Sequence, residues 1–196
     1  MKIPERYRVE LCERVDIRDF IEENHYSQNI NGCIADYCFR LVDNETDSIV
    51  GAMFYGRMAM ANQWKKYGNE ASEVTELRRL TTLDDTPKNT ESYFIGATLR
   101  WLRKNTSLKV VVSYADPEYN HTGIIYKASN FKMVGHSSNG RVIIWNGKKY
   151  HDKAIRTKYK GALKPFAITL KKALDDGEAV YKRTEGKYIY VYQLQD

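Results

Sequence analysis

Cysteine, proline and long apolar runs are scarce in this chain, and each scarcity excludes something. Its 196 residues hold three cysteines, Cys12, Cys33 and Cys38. An odd number argues against a disulfide framework, and Cys33 and Cys38, five apart, lack the close spacing and neighbouring ligands of a zinc motif. They read as reduced, mostly buried thiols. No apolar run approaches the roughly 18 residues that span a bilayer. The opening Met-Lys-Ile-Pro-Glu-Arg has no apolar stretch of the signal-peptide kind, so a cytosolic protein is expected. There is no repeat and no low-complexity tract. Hydrophobic residues make up 42%, enough for a core, so wholesale disorder is set aside.

The charge is uneven. The net value is +6, yet residues 1–145 hold 19 Lys and Arg against 19 Asp and Glu, while residues 146–196 hold 12 against 6. Lys148, Lys149, Lys153, Arg156, Lys158, Lys160 and Lys164 crowd one stretch, interleaved with Trp145, Tyr150, Tyr159 and Phe166. Cations for phosphate and rings for stacking are the nucleic-acid pattern, although a solvated lysine-rich face is the ordinary alternative. The expected organisation is a catalytic domain over 1–146, with a basic extension over 147–196 packed on it.

Residues 16–24 read as a short helix capped by Asp16, and His25-Tyr26 follows at its end. Residues 36–42 and 48–58 read as strands joined by a polar loop, and 73–82 as a third strand. Apolar spacing through Tyr93, Phe94, Ala97, Trp101 and Leu102 predicts a helix over about 90–104, capped by Asn89 or Thr90. Val110–Val112 is a buried strand. It ends in the Asp116 turn, a short helix follows over 122–129, and such a strand-end turn is where an open α/β sheet places its chemistry. Lys132–His136 and Arg141–Trp145 are expected to pair as a hairpin about Ser137–Gly140. A helix over 161–175, delayed or kinked by Pro165, and a last strand over 188–192 complete a mixed α/β order, with an antiparallel first half and one parallel βαβ unit.

That order, with Tyr126-Lys-Ala-Ser-Asn-Phe-Lys-Met-Val-Gly135 after the short helix, resembles the GNAT acyltransferase fold, an α/β (α+β) mixed central sheet with helices on both faces. Four stretches in order are similar to a narrower family, the phage Mom DNA-modification proteins: Glu76-Leu-Arg-Arg-Leu80, Asp84-Asp-Thr-Pro-Lys-Asn-Thr-Glu-Ser92, Ser113-Tyr-Ala-Asp116 and Gly123-Ile-Ile-Tyr126. The resemblance covers roughly residues 24–152. It implies a phage-encoded transferase, acting in the host cytoplasm on double-stranded DNA, that turns adenine N6 into a carbamoylmethyl derivative and shields the DNA from restriction.

The resemblance also sorts the candidate residues. Asp116 would orient or deprotonate the amine, where a plain turn-forming aspartate before Pro117 is the bland reading. Tyr126 would act as proton donor, as the usual GNAT acid does at this place; a helix-face aromatic is the alternative. His25, with Tyr26, would serve as base, metal ligand or DNA contact, or merely cap a helix end. With His121 and Asp116, His25 can be imagined as a two-histidine, one-carboxylate metal site, although three separate segments would have to converge. Ser113, Arg79, Glu76, Asn89 and Ser92 are donor or substrate contacts, with capping and ion pairing as the structural alternatives. Lys148, Lys149, Lys153, Arg156, Lys158 and Lys160 would hold DNA.

One departure from acetyl-CoA enzymes is physical. Their pyrophosphate loop is glycine-rich, so that backbone N–H groups can approach the phosphates. Residues 86–92 here hold no glycine, Pro87 lacks an N–H, and Glu91 would oppose a phosphate. Conventional acetyl-CoA is therefore not expected, and the segment is open to another donor or a nucleic-acid phosphate. The donor itself is unknown from the sequence, a glycyl group on a carrier such as tRNA being compatible with the product that the resemblance implies, and a metal ion a further option. Two readings stand beside this one: an acetyl-CoA-dependent acetyltransferase of small amines or proteins, and an inactive GNAT-derived nucleic-acid binder.

Overall fold

A computed structural model describes residues 2–28, 30 and 32–195. In chain order the elements are α1 (Ile3–Arg6), β1 (Tyr7–Cys12), α2 (Arg14–Asn24), β2 (Tyr37–Asp43), β3 (Ile49–Gly56), β4 (Val74–Thr82), α3 (Thr90–Asn105), β5 (Val110–Ala115), α4 (Ile124–Ala128) and β6 (Lys132–His136). Then come β7 (Gly140–Trp145), β8 (Lys148–His151), β9 (Lys158–Tyr159), β10 (Ala162–Leu163), α5 (Pro165–Asp175), β11 (Val180–Thr184) and β12 (Tyr188–Gln193). Two compact units result, Met1–Gly135 with Tyr188–Asp196, and His136–Lys187. The basic stretch from residue 147 falls in the second unit, whereas residues 188–196 return to the first.

The first unit is a seven-stranded sheet in the order β1-β2-β3-β4-β5-β12-β6. β1 to β4 join antiparallel, β5 joins β4 in parallel, and β12 joins β5 antiparallel. This is the mixed sheet that the element order implied. Alternation sends side chains to two cores: Val111 packs with Phe39, Tyr55, Phe94 and Leu99 under α3, and Val110 and Val112 pack on the other face with Trp64 and Tyr67. α2 buries Ile17 and Ile21, one turn apart, against Ala52 and Phe54. Helices thus cover both faces.

Several local expectations are corrected. Asp16 is not the cap of α2. Glu13 is, and Asp16 sits three residues on, where its carboxylate accepts the Glu13 N–H at 2.9 Å in a reciprocal capping box. Asn89 occupies the cap position of α3 with a left-handed backbone, but its side chain makes no capping bond. Residues 7–12, to which the sequence reading gave no element, form an edge strand. Lys132–His136 and Arg141–Trp145 do not pair; β6 lies beside β12, and β7 pairs with β8 and β11. The tight turn is Asn146-Gly147, both with positive φ, which is the strongest short hairpin signal and outcompetes Ser137–Gly140.

The second unit is the sheet β11-β7-β8 with α5. Ile143, Leu170, Ala173 and Ala179 form its buried centre. Trp145, Tyr150 and Phe166 gather beside them, with Tyr150 and Phe166 5.2 Å apart. Pro165 delays the helix rather than kinking it, standing in its first turn, where no N–H is needed.

Candidate active site

β4 and β5 pair in parallel from Val74–Val110 to Leu77–Ser113 and then part. The cause is one extra residue in β4. Phe54 faces Arg79 and Tyr55 faces Leu77, so Arg78 is bulged out and the strand bends away. The parting opens a cavity of about 550 Å³, walled by residues 77–84 of β4 and its exit, residues 114–116 at the end of β5 and just past it, residues 120–126, His25 and Tyr26 after α2, and Thr86, Pro87, Lys88 and Glu91 at the start of α3.

Asp116 directly follows β5, is buried, and accepts the Glu118 N–H at 3.1 Å. Gly123 turns the chain into α4 with φ of 77°, and an added Cβ there would run into the Tyr190 ring. Gly123→Ala should therefore destabilise the fold by about 2–5 kcal/mol, from left-handed strain and overpacking together, read from the denaturant midpoint. The turn delivers Tyr126 to the cavity wall. On the neighbouring strand Ser113 Oγ donates to the Leu77 carbonyl at 3.2 Å. Burial pushes the Tyr126 phenol up to about 12, so it keeps its proton at neutral pH.

His25 is 6% exposed. Its Nδ1 lies 3.0 Å from the Ser27 N–H and 2.8 Å from Ser27 Oγ. Burial, and then the charges of Arg79 and His121, push the imidazole down to about 3. The folded chain thus refuses a proton that the unfolded chain accepts below about pH 6.5. Stability present above that pH is lost as pH falls toward 3, at up to ~1.4 kcal/mol per pH unit. His25→Gln should flatten that slope, as measured by denaturant unfolding across the range.

The His25 ring stacks on Tyr26 at 4.2 Å, and Tyr26 meets Tyr119 at 4.3 Å and His121 at 5.1 Å. Tyr26 and Tyr119 are each 42% exposed, so the group forms an accessible aromatic shelf. The sequence reading passed over Tyr119, although a ring inside a strand-end turn was the available signal.

Of the other expected residues, Arg79 lines the cavity and donates to the Arg78 carbonyl at 2.7 Å. Glu76 does not line it; its carboxylate accepts the Ala59 N–H at 3.3 Å and lies 3.5 Å from Arg78. Alternation along β4 turns it to the face of Tyr114, away from Leu77. Asn89 and Ser92 are outside the wall too, with Ser92 Oγ on the Asn89 carbonyl at 3.0 Å, while their neighbours Lys88 and Glu91 face in. Among the described residues, no group of three His, Cys, Asp or Glu side chains is arranged to hold a metal ion.

In the second unit, Lys148, Lys149, Lys153, Arg156, Lys158 and Lys160 are all exposed. Arg156 bonds Asp152 at 2.6 Å. This unit holds 13 Lys and Arg against 5 Asp and Glu, net +8, and the first unit 18 against 20, net −2. The asymmetry is steeper than a division at residue 146 suggests.

The model of the Mom protein family matches residues 6–196. The chain belongs to the Mom protein family. Over 186 residues it is 27% identical to the methylcarbamoylase Mom of Escherichia phage Mu, spanning 93% of this chain and 74% of that protein. Among solved structures, the ribosomal-protein-S5-alanine acetyltransferase of Vibrio fischeri superposes with a TM-score of 0.54 at 11% identity, over 97% of this chain and 94% of its own. A GNAT-family acetyltransferase of Bacillus anthracis gives 0.54 at 10%, over 97% and 96%. At such identities the likeness concerns the fold, and this Mom-family chain has the GNAT fold anticipated from its element order.

Proposed function

We propose that this Mom-family protein is a phage-type DNA-modifying transferase that adds a small glycine-derived group, carbamoylmethyl or its like, to adenine N6. Such a product would protect phage DNA from restriction in the host cytoplasm. The observation that carries the reading is that a Mom-family chain gathers Asp116, Tyr126, His25 and an aromatic shelf on one cavity. Adenine N6 is engaged in pairing within a duplex, so the base must leave the stack to react. Tyr26, Tyr119 and His121 offer it a surface to stack on. The second unit, at net +8, supplies phosphate contacts.

In the step proposed, N6 attacks the donor carbon, an N–C bond forms, and the bond from that carbon to its carrier breaks with its electron pair on the carrier. The N6 proton passes to Asp116, and the Tyr126 phenol, protonated at neutral pH, supplies one to the departing group. Solvent resets both. Arg79 lines the same wall and would bind the donor. Attack on the carbonyl carbon of a glycyl group held by a carrier such as tRNA gives N6-glycyl adenine. Its constitutional isomer, carbamoylmethyl adenine, would follow only through a rearrangement in which the glycyl amine takes the carbonyl carbon and N6 takes the methylene carbon. The start of α3 fits a CoA pyrophosphate poorly, because Pro87 lacks a donor and Glu91 faces the cavity. Tyr126→Phe keeps the ring and removes the proton; modified-nucleoside yield should fall by about 10²-fold with little loss of fold, since the ring that packs on Phe131 and Tyr190 is kept.

The fold's likeness to acetyltransferases favours a second reading, acetyl transfer from acetyl-CoA to an amine. One experiment separates the two: mass spectrometry of nucleosides from plasmid DNA of cells expressing the wild type or Asp116→Ala. A new adenosine mass, present only with wild type, supports the reading. Fragmentation is required, because N6-glycyl and N6-carbamoylmethyl adenine are constitutional isomers of one mass. Unmodified DNA with well-folded protein, and stabilisation by acetyl-CoA, would favour the alternative.

A further inference from the structure

Asp116 and Tyr126 account for one proton taken and one proton given, and the proposed step leaves His25 without a role. Its hydrogen bonds decide what it can do. A backbone N–H only donates, so the Ser27 N–H at 3.0 Å makes Nδ1 an acceptor carrying a lone pair. The Ser27 hydroxyl, 2.8 Å away, then donates to the same nitrogen or leaves it undisturbed. A neutral imidazole with a bare Nδ1 carries its proton on Nε2. That nitrogen has no hydrogen-bond partner among the described residues, yet is not one of the buried polar atoms sealed from solvent. His25 lines the cavity.

The geometry points to His25 as a fixed hydrogen-bond donor, whose Nε2–H holds the carbonyl oxygen of the two-carbon donor group, with Ser27 as the positioning residue that sets the tautomer. This rests on the proposed transfer reaction for its ligand, and on the Ser27 contacts alone for its direction. A donor tautomer cannot take a proton at Nε2, so the amine's proton is left to Asp116. The surroundings keep the ring neutral: Arg79 from β4 and His121 from the Asp116 turn both disfavour imidazolium, and Tyr26 covers one face at 4.2 Å. A neutral donor aimed at an oxygen that gains negative charge stabilises the transition state without proton transfer.

The test uses the full-length protein labelled with 15N-histidine, the His25 signals being assigned by their loss in His25→Gln. Nε2 protonated and Nδ1 bare from pH 5 to 8 is expected; a proton on Nδ1, or an imidazolium in that range, would overturn the assignment. The variants test the same point chemically. The amide nitrogen of glutamine can stand where Nε2 stands, and that of asparagine cannot. His25→Gln should keep base modification within about tenfold of wild type, while His25→Asn and His25→Ala fall by about 10²–10³. Loss in His25→Gln equal to that in His25→Ala would count against a donor role. If wild-type protein leaves DNA unmodified, the transferase reading fails, and the tautomer, measured without DNA, still upholds or overturns the role given to Ser27.

Discussion

Asp116→Asn is expected to cut the yield of modified nucleoside by about 10²–10⁴ while the protein stays folded. Asparagine has nearly the same shape, and its amide oxygen can accept the Glu118 N–H that Asp116 accepts at 3.1 Å, so the turn after β5 should survive. What is lost is the negative charge. An aromatic exocyclic amine is a poor nucleophile because its electron pair is drawn into the ring, so the transition state needs a nearby anion to receive the proton. Asp116 is buried at the cavity wall, where water substitutes poorly. The measurements are nucleoside mass spectrometry at matched expression and thermal unfolding of the purified variant. Wild-type yield from Asp116→Asn would remove Asp116 from the chemistry. A variant with low yield and low Tm would show only that the turn had failed.

The second large effect concerns binding. Replacing Lys148, Lys149, Lys153, Lys158 and Lys160 by alanine should lower the slope of log affinity for duplex DNA against log salt by about four to five, since each lost phosphate contact removes roughly 0.9. All five are exposed, so the fold of the second unit, centred on Ile143, Leu170, Ala173 and Ala179, should be untouched. Arg156→Ala should do less to the slope, because its guanidinium is already engaged by Asp152 at 2.6 Å. Weakening should be similar across unrelated sequences, phosphates being common to all of them. An unchanged slope would leave the net charge of +8 as a solvated face and move DNA binding elsewhere.

Legibility in the sequence followed the range of the interactions. α3 could be read because Tyr93, Phe94, Ala97, Trp101 and Leu102 recur at helical spacing; Phe94 and Leu102 are buried, together with Ile95, Thr98 and Leu99 beside them. β5 could be read because three consecutive valines suit a strand buried on both sides. The pairing of β7 was misassigned for want of one local signal, Asn146-Gly147. β1 had no such signal: it is an edge strand defined by its pairing with β2.

The residues of the candidate site were legible as an ordered set of short stretches, but not as a geometry. By itself the sequence determined the family, the mixed α/β order, the absence of a long apolar helix, the excess of cations toward the C-terminus and the placing of Asp116 and Tyr126 around a strand-end turn. Only the tertiary structure decided that Arg78 bulges and parts β4 from β5, that Glu76 turns away while Lys88 and Glu91 face in, and that Tyr119 joins Tyr26. It alone fixed Nδ1 of His25 on the Ser27 N–H. Periodicity and turn chemistry act within a few residues and are written locally. Burial, strand parting and ring stacking join residues far apart along the chain, and their outcome exists only once the sheet is assembled.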